Sequence, residues 1–165
     1  MNEWIEIGKI VNTHGIKGEL RILSNFEKKS VIFRAGFEIY IGNEKRKEII
    51  NSYRHHKNFE MICYENVSNI NEVLQDKGKK VFIKRKDLNL KAEEYLLTDI
   101  LGYNVVEEGK KIGKIVDFVY NKASILLEIK GETKKFYIPK NENFIKKVDL
   151  QLKIVYTENA KGLIL

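Results

Sequence analysis

The sequence predicts an all-β protein with two small domains. Short segments rich in β-branched and aromatic residues recur along the chain with turn residues between them, as in barrels or sandwiches. A chain of 165 residues is long enough for two domains of about 80 residues each. A polar, weakly patterned stretch at residues 87–94 divides the strands into two sets. We therefore expect domains at residues 1–86 and 95–165, joined by this linker.

One short helix is predicted in the first domain. Three apolar residues have helical spacing within residues 69–77. Asn69 or Asn71 could accept a free backbone N–H at the helix start, and Gly78 permits the left-handed conformation that often ends a helix. The apolar residues are Ile70, Val73 and Leu74. The surrounding strands are predicted at residues 6–11, 19–23, 37–41, 49–54, 60–64 and 81–83.

The second domain repeats this pattern of short strands. Glu107 to Lys110 form a turn typical of a β-hairpin. Pro139 closes a strand, where its missing N–H does little harm. The predicted strands are residues 103–106, 111–118, 124–129, 135–138 and 153–156.

The charge is distributed unevenly between the two halves. The chain has a formal net charge of +7, and residues 1–86 hold 17 Lys and Arg against 11 Asp and Glu. Residues 87–165 hold 13 against 12. A basic first half favours RNA as a direct partner, whereas a near-neutral second half gains little from phosphates and is better suited to a protein partner.

The compartment follows from cysteine use and hydropathy. The single cysteine, Cys63, cannot form an intramolecular disulfide, which is typical of a reducing compartment. The acidic start is unlike a signal peptide, and no apolar run reaches about 20 residues, so no membrane partner is expected. The sequence therefore predicts a cytoplasmic protein.

No catalytic or metal-binding arrangement is recognisable. Adjacent histidines on a strand point to opposite faces, so His55 and His56 cannot readily hold one ion. No Cys or Asp pattern supplies further ligands, and no nucleophile and base have a typical spacing. We expect no metal, no cofactor and no enzymatic reaction.

Residues 7–22 form the most distinctive segment, a strand, a tight loop and a second strand. Gly15 and Gly18 flank the loop and permit positive φ, and His14 and Lys17 are predicted at its tip. The Gly-Lys-Ser/Thr and the following helix of a nucleotide-binding P-loop are absent. The loop could serve the barrel's shape alone or contact RNA.

A second candidate for RNA contact is the run of basic residues before Phe59, where aromatic and cationic side chains could stack on and pair with RNA. Arg54 and Lys57 are its candidate contacts. Such a cluster is also compatible with an ordinary solvated surface.

Tyr95, at the entry to the second domain, is the candidate anchor for a protein partner. It follows two acidic residues, Glu93 and Glu94. Tyrosine combines a large contact area with a low cost of ordering, which is typical of interface residues. The apolar residues after it that could serve only core packing are Leu97, Ile100 and Leu101.

The motifs of residues 7–22 and of the segment that begins at Glu94 resemble, in their order and spacing, those of the RimM family of ribosome maturation factors. The first-domain motif is Ile7-Gly8-Lys9-Ile10-Val11 followed by Thr13-His14-Gly15-Ile16-Lys17-Gly18-Glu19-Leu20. The second-domain motifs are Glu94-Tyr95, Asp99-Ile100-Leu101-Gly102 with Val105, Ile112-Gly113-Lys114-Ile115, Asp117, Ile138-Pro139, Val148-Asp149-Leu150 and Gly162-Leu163.

The resemblance implies two small β-barrels, an N-terminal barrel of the translation-factor type and a C-terminal PRC-barrel. It implies a monomer that binds the immature small ribosomal subunit through a ribosomal protein of the subunit head and adjacent ribosomal RNA. It also implies that the protein promotes maturation and RNA processing without a cofactor or catalysis. Tyr95, Leu96 and Asp99 are the expected protein-partner residues.

Two positions depart from the family's pattern. The family often has paired aromatics at the entry to the second domain, where this chain has Tyr95 and then Leu96. An apolar residue, often aromatic, usually follows the Ile-Pro motif, where this chain has Lys140. The alternatives to an assembly factor are a general RNA-binding chaperone without a ribosomal-protein partner and an RNA-modifying enzyme.

Overall fold

The structure, a computed structural model, describes residues 3–164 and consists mainly of β-strands, as predicted. The chain divides into two compact units, Met1–Leu90 and Lys91–Leu165. This division lies inside the predicted linker, residues 87–94. Among residues 3–164, no helix has the length and apolar character needed to cross a membrane.

The first unit is a closed six-stranded barrel in the order β1-β2-β5-β4-β3-β6. Its first and last strands pair antiparallel, which closes the barrel. One helical turn, α1, precedes β3. The elements are β1 Trp4–His14, β2 Glu19–Leu23, α1 Lys29–Ile32, β3 Glu38–Ile41, β4 Arg46–His56, β5 Phe59–Tyr64 and β6 Lys80–Lys84. A 3-10 turn, Arg85–Leu88, follows β6.

Alternation along the strands separates the barrel core from its outer face. In β2, Leu20 and Ile22 are fully buried, while Glu19 and Arg21 are partly exposed and Leu23 is exposed. The two faces of a strand alternate residue by residue, so this pattern directs Glu19 and Arg21 outward. This outward direction positions the candidate site described below.

The segment predicted as one helix over residues 69–77 differs in the structure. It forms two 3-10 turns, Ile70–Glu72 and Leu74–Asp76. With three residues per turn, Val73 and Asp76 fall on one side and are buried, whereas Leu74 is 51% exposed. The prediction of one helix over residues 69–77 was therefore wrong, and the helical spacing of Leu74 with Ile70 and Val73 does not place Leu74 in the core.

The predicted ends of that segment are found in the structure. The Asn69 side chain accepts the backbone N–H of Asn71 at 3.0 Å. Gly78 has a φ of +88°, in the left-handed region.

The second unit is a six-stranded sheet in the order β10-β9-β8-β7-β12-β11. All neighbours pair antiparallel except β7 and β12, which are parallel. The sheet surrounds a core that includes Val105, Ile115, Ile129, Ile138 and Val155. The strands are β7 Asn104–Glu107, β8 Lys110–Tyr120, β9 Ile125–Lys130, β10 Lys135–Pro139, β11 Ile145–Asp149 and β12 Ile154–Thr157. The 3-10 turns are Leu97–Ile100 and Lys161–Leu163.

Strand β11 was absent from the sequence prediction. Its two adjacent lysines, Lys146 and Lys147, interrupt the alternation of apolar and polar residues. A register shift between Ile145 and Lys147 accommodates this interruption in the pairing with β12.

Candidate functional site

One outer face of the first barrel gathers basic and aromatic side chains. Arg21 on β2 and Arg54 on β4 are both paired with Met61 on β5. Directly opposite residues share a face of the sheet, so the two arginines flank Met61, which is fully buried. We call this surface the basic face. Its members are His14, Glu19, Arg21, Arg54, His56 and Phe59.

Arg54 is held by the one carboxylate of the basic face. Its Nη2 and Nε donate to the two carboxylate oxygens of Glu19 at 2.7 and 2.9 Å. This bidentate geometry is characteristic of strong arginine–carboxylate pairs. The hydrogen bonds from Arg54 hold the pKa of Glu19 below its ordinary value. Much of the positive charge of Arg54 is therefore compensated within the protein.

Arg21 has no such compensation, since within residues 3–164 it forms no ion pair with a carboxylate. Its Nη2 donates to Nδ1 of His14 at 2.7 Å, and its guanidinium carbon lies 5.7 Å from the centre of the Phe59 ring. A guanidinium only donates, so Nδ1 of His14 must be the acceptor and carry no proton. Nε of Arg21 is buried, and no hydrogen-bond partner for it lies within residues 3–164. The basic face thus retains an uncompensated charge and an unused donor.

The two adjacent histidines lie on opposite faces of β4, as predicted. The ring of His56 lies 6.3 Å from that of His14, on the basic face. His55 contacts the buried Glu60, with 2.8 Å between Nδ1 and a carboxylate oxygen. Partial desolvation and then the positive charges nearby, led by Arg54, lower the pKa of His56. An anion on this face would oppose that effect and favour the protonated imidazole.

The four predicted RNA contacts are not all brought together. His14 and Arg54 both belong to the basic face. Lys17 lies in the loop between β1 and β2, and Lys57 lies in the turn between β4 and β5. The strand registers place these loops at opposite ends of the basic face.

Sequence reasoning did not select Arg21, and it considered His56 and Phe59 only as part of the basic cluster from which Arg54 and Lys57 were chosen. The alternation of buried and exposed residues in β2 could have indicated Arg21, because its neighbours Leu20 and Ile22 are strongly apolar. The contacts of Arg21 with His14 and Phe59 join three strands, and spacing in the sequence does not encode such contacts.

Tyr95, the predicted protein anchor, is partly buried against the core of the second unit. Nζ of Lys140 lies 5.6 Å from the centre of its ring, within the range of a cation–π contact. Lys140 is one of the two positions that depart from the family's pattern. Lys140 is therefore part of the immediate surroundings of the candidate anchor.

The other two predicted partner residues have local contacts. Leu96 is 1% exposed. A carboxylate oxygen of Asp99 accepts the backbone N–H of Leu96 at 2.8 Å, and the backbone N–H of Asp99 donates to the carbonyl of Leu96 at 2.9 Å. These two bonds fix the start of the turn that follows Tyr95. A direct contact of Leu96 or Asp99 with a partner stays a prediction.

Residues 3–164 contain no group of three or more His, Cys, Asp or Glu side chains placed to hold a metal ion. Cys63 is a free, half-buried thiol on β5.

Comparisons with known proteins agree with this division into two units. A family model described as the RimM N-terminal domain matches residues 5–88, and one described as the RimM PRC barrel domain matches residues 97–163. A Bacillus anthracis protein named ribosome maturation factor RimM is 36% identical, covering 99% of this chain and 100% of its own length. A Staphylococcus haemolyticus protein of the same name is 33% identical, covering 97% and 98%.

Among solved structures, a RimM crystal structure from Pseudomonas aeruginosa covers 94% of this chain and 96% of its own, with 17% identity and a TM-score of 0.43. The solution structure of the N-terminal domain of RimM from Thermus thermophilus covers 53% of this chain and 95% of its own, with 17% identity and a TM-score of 0.44.

The fold and the two family models define a two-domain β-protein in which a PRC barrel follows a closed six-stranded barrel. Both matches together span most of the chain, and the curated relatives align along nearly all of it. The chain belongs to the RimM family.

Proposed function

We propose that this protein is a ribosome maturation factor that binds the immature small ribosomal subunit in the cytoplasm. Membership of the RimM family, with full-length relatives named ribosome maturation factor, supports a role in ribosome assembly. That name describes assembly and not catalysis, so the protein acts by binding. A factor that only binds must prefer one conformer of its target, because equal affinity for all conformers shifts no population.

The first domain contacts ribosomal RNA through the basic face. The observation that carries this step is Arg21, whose guanidinium has no carboxylate partner among residues 3–164 and lies beside His14 and Phe59. Phosphate oxygens accept from guanidinium in bidentate geometry, and Phe59 offers a ring for base stacking. Lys17 and Lys57 extend this surface at its two ends, where they contact neighbouring phosphates.

The second domain binds a ribosomal protein of the subunit head through Tyr95. A partly buried tyrosine supplies a large contact area with little loss of side-chain freedom. Asp99 and the buried Leu96 support this contact by fixing the backbone that follows Tyr95. The protein acts as a monomer, with one domain on protein and the other on RNA.

The RNA contact is tested with Arg21→Gln, since glutamine keeps much of the length of the side chain and removes the charge. We expect lower recovery of immature small subunits and weaker binding to small-subunit ribosomal RNA. Arg34→Gln is the matched control, because Arg34 is exposed and its side chain donates to the carbonyl of Val31 at 3.0 Å. Equal RNA affinity of Arg21→Gln, Arg34→Gln and the wild type would refute the assignment of the basic face.

The protein contact is tested with Tyr95→Ala in the full chain. An interface anchor contributes about 2 kcal/mol or more, so affinity for immature subunits should fall about 30-fold. Tyr137→Ala is the control, because Tyr137 is another partly exposed tyrosine of the second domain, 43% exposed. Undiminished recovery with a folded Tyr95→Ala variant would remove Tyr95 from the site and favour a general RNA-binding module.

A further inference from the structure

The end of the second domain's sheet has a row of lysines on three adjacent strands. Lys130 on β9 is directly opposite Lys114 on β8 and also directly opposite Lys135 on β10. Directly opposite residues share a face with their Cβ atoms about 5 Å apart, and like charges in this arrangement destabilise the sheet. We call Lys114, Lys130 and Lys135 the lysine row.

The protein compensates little of this charge itself. Glu128 lies 3.8 Å from Nζ of Lys135. Lys114 and Lys130 form no ion pair with any carboxylate of residues 3–164. The acidic residues of the same face are Asp117 and Glu128. They lie directly opposite each other on β8 and β9, further along these strands than Lys114 and Lys130.

A cavity of about 670 Å³ adjoins the row. Its lining includes the row residues Lys114 and Lys130 and two further lysines, against Glu132 as its one acidic residue. The further lysines are Lys111 and Lys134. This volume lies within the range of pockets that hold small ligands or part of a larger one.

Two glycines of the cavity lining are packed tightly against neighbouring atoms of the protein. A Cβ at Gly113 would clash with a side-chain carbon of Ile129, and one at Gly131 would lie 2.8 Å from the carbonyl oxygen of Lys134. Phe136, which is buried, also lines the cavity. Gly113 and Gly131 therefore contribute only backbone atoms to the lining, beside its lysines.

We propose that the lysine row and its cavity bind the phosphate groups of an RNA strand. This inference rests on the proposed function, which brings the protein to ribosomal RNA, and it adds a second RNA contact in a domain otherwise assigned to a protein partner. An anionic strand across the row relieves the repulsion between Lys114 and Lys130. The lysine ammonium is a compact point charge without the planar, two-pronged geometry of arginine. The four lysines that line the cavity are therefore better suited to binding a row of phosphates than to binding single carboxylates.

The test is binding of the full chain to a single-stranded oligouridylate of about 12 nucleotides, measured by fluorescence anisotropy across a salt series. In Lys114→Gln/Lys130→Gln we expect several-fold weaker binding, and the slope of log affinity against log salt should be lower by about 1.4. Lys122→Gln/Lys153→Gln is the control. It removes the same charge from exposed residues of the same domain outside the row.

The proposal is overturned by equal losses in both double variants, by an unchanged slope in Lys114→Gln/Lys130→Gln, or by equally effective competition by oligoglutamate of the same charge. The last would assign the cavity to an acidic protein segment. If uridine monophosphate competes at the oligonucleotide's own concentration, the cavity is a mononucleotide site and the proposal of a bound RNA strand is wrong.

This test is independent of the basic face. The comparison can be repeated in an Arg21→Gln background, where a lower slope still supports the lysine row. Failure of Arg21→Gln to affect RNA binding would instead count against the proposed function of the first domain.

Discussion

Arg46 holds the fully buried carboxylate of Asp76 in a bidentate contact, with Nη1–Oδ1 and Nη2–Oδ2 distances of 3.0 and 2.6 Å. The hydroxyl of Tyr64 donates to the same carboxylate at 2.9 Å, and Nζ of Lys79 lies 3.4 Å from it. The contact joins β4 to the 3-10 turn before β6. It therefore holds the 3-10 turn Leu74–Asp76 against the sheet of the first barrel.

Arg46→Met should destabilise the first domain by about 2–3 kcal/mol, because it leaves a buried carboxylate with only Tyr64 and Lys79 as partners. The only tryptophan, Trp4, lies on β1, so its fluorescence during urea unfolding reports on this barrel. Lys47→Met is the control, since Lys47 pairs with the exposed Glu38 and its loss should change little. Equal unfolding midpoints for the two variants would contradict the structural role of Arg46.

Stability that depends on Asp76 should disappear in acid. Burial alone would raise the pKa of Asp76, but hydrogen bonds from Arg46 and Tyr64 outweigh it, so the pKa lies below its ordinary value of 3.8. The unfolded chain therefore takes up a proton at this group before the folded chain does. The stabilisation is fully present above the ordinary pKa and is lost as the pH falls through the folded pKa.

Comparison of the wild type with Asp76→Asn isolates this effect, because all other carboxylates are common to both. The difference in their free energies of unfolding should be constant between about pH 7 and pH 5 and should shrink below about pH 4. Urea unfolding followed by Trp4 fluorescence measures it. A difference that persists unchanged to about pH 2 would show that Asp76 does not titrate with folding.

The two glycines of the β1–β2 loop should respond differently to alanine. Both have positive φ, +68° at Gly15 and +86° at Gly18, but only a Cβ at Gly18 meets other atoms. That Cβ would lie 3.0 Å from the carbonyl oxygen of Asn69 and 3.1 Å from Cγ1 of Val67. We expect a loss of about 1 kcal/mol for Gly15→Ala and at least about 2 kcal/mol for Gly18→Ala. Similar urea midpoints for both would show that the contact with Asn69 relaxes freely.

Glu107 should be important for the stability of the second domain. Its buried carboxylate accepts the backbone N–H groups of Ala160 and Lys161 at 2.8 and 3.0 Å and the hydroxyl of Thr157 at 3.1 Å. Glu107→Ala leaves these donors without their acceptor, which costs about 3 kcal/mol. Amide hydrogen exchange in β7 and β12 should accelerate, while the neighbouring exposed Glu108→Ala should leave it nearly unchanged. Equal protection in both variants would contradict this role.

Regular alternation made most of the fold predictable. The strands around Leu20 and Ile22 have one buried and one exposed face, so a period of two identifies them directly. The same reasoning failed at Leu74, where a 3-10 period replaced the expected α-helix, and at β11, where Lys146 and Lys147 hide the alternation. In both places the tertiary contacts of the chain outweigh the local pattern.

The candidate sites were only partly predictable for a related reason. The sequence indicated His14 and Arg54, which belong to a loop segment and a basic cluster that stand out locally. The contacts of Arg21 and the alignment of the lysine row depend on strand pairing, which brings together residues that are far apart in the chain. The near-neutral charge of residues 87–165 is an average, and it concealed a local concentration of lysines.

The pairing of β1 with β6 has a consequence for synthesis of the protein. β1 is synthesised first, but its partner β6, Lys80–Lys84, is synthesised last among the strands of this barrel. The first barrel therefore cannot close on a nascent chain that ends before β6. Once that strand emerges from the exit tunnel, every pairing of the barrel lies within finished polypeptide. The first barrel can therefore fold during translation, while the ribosome is still synthesising the second domain.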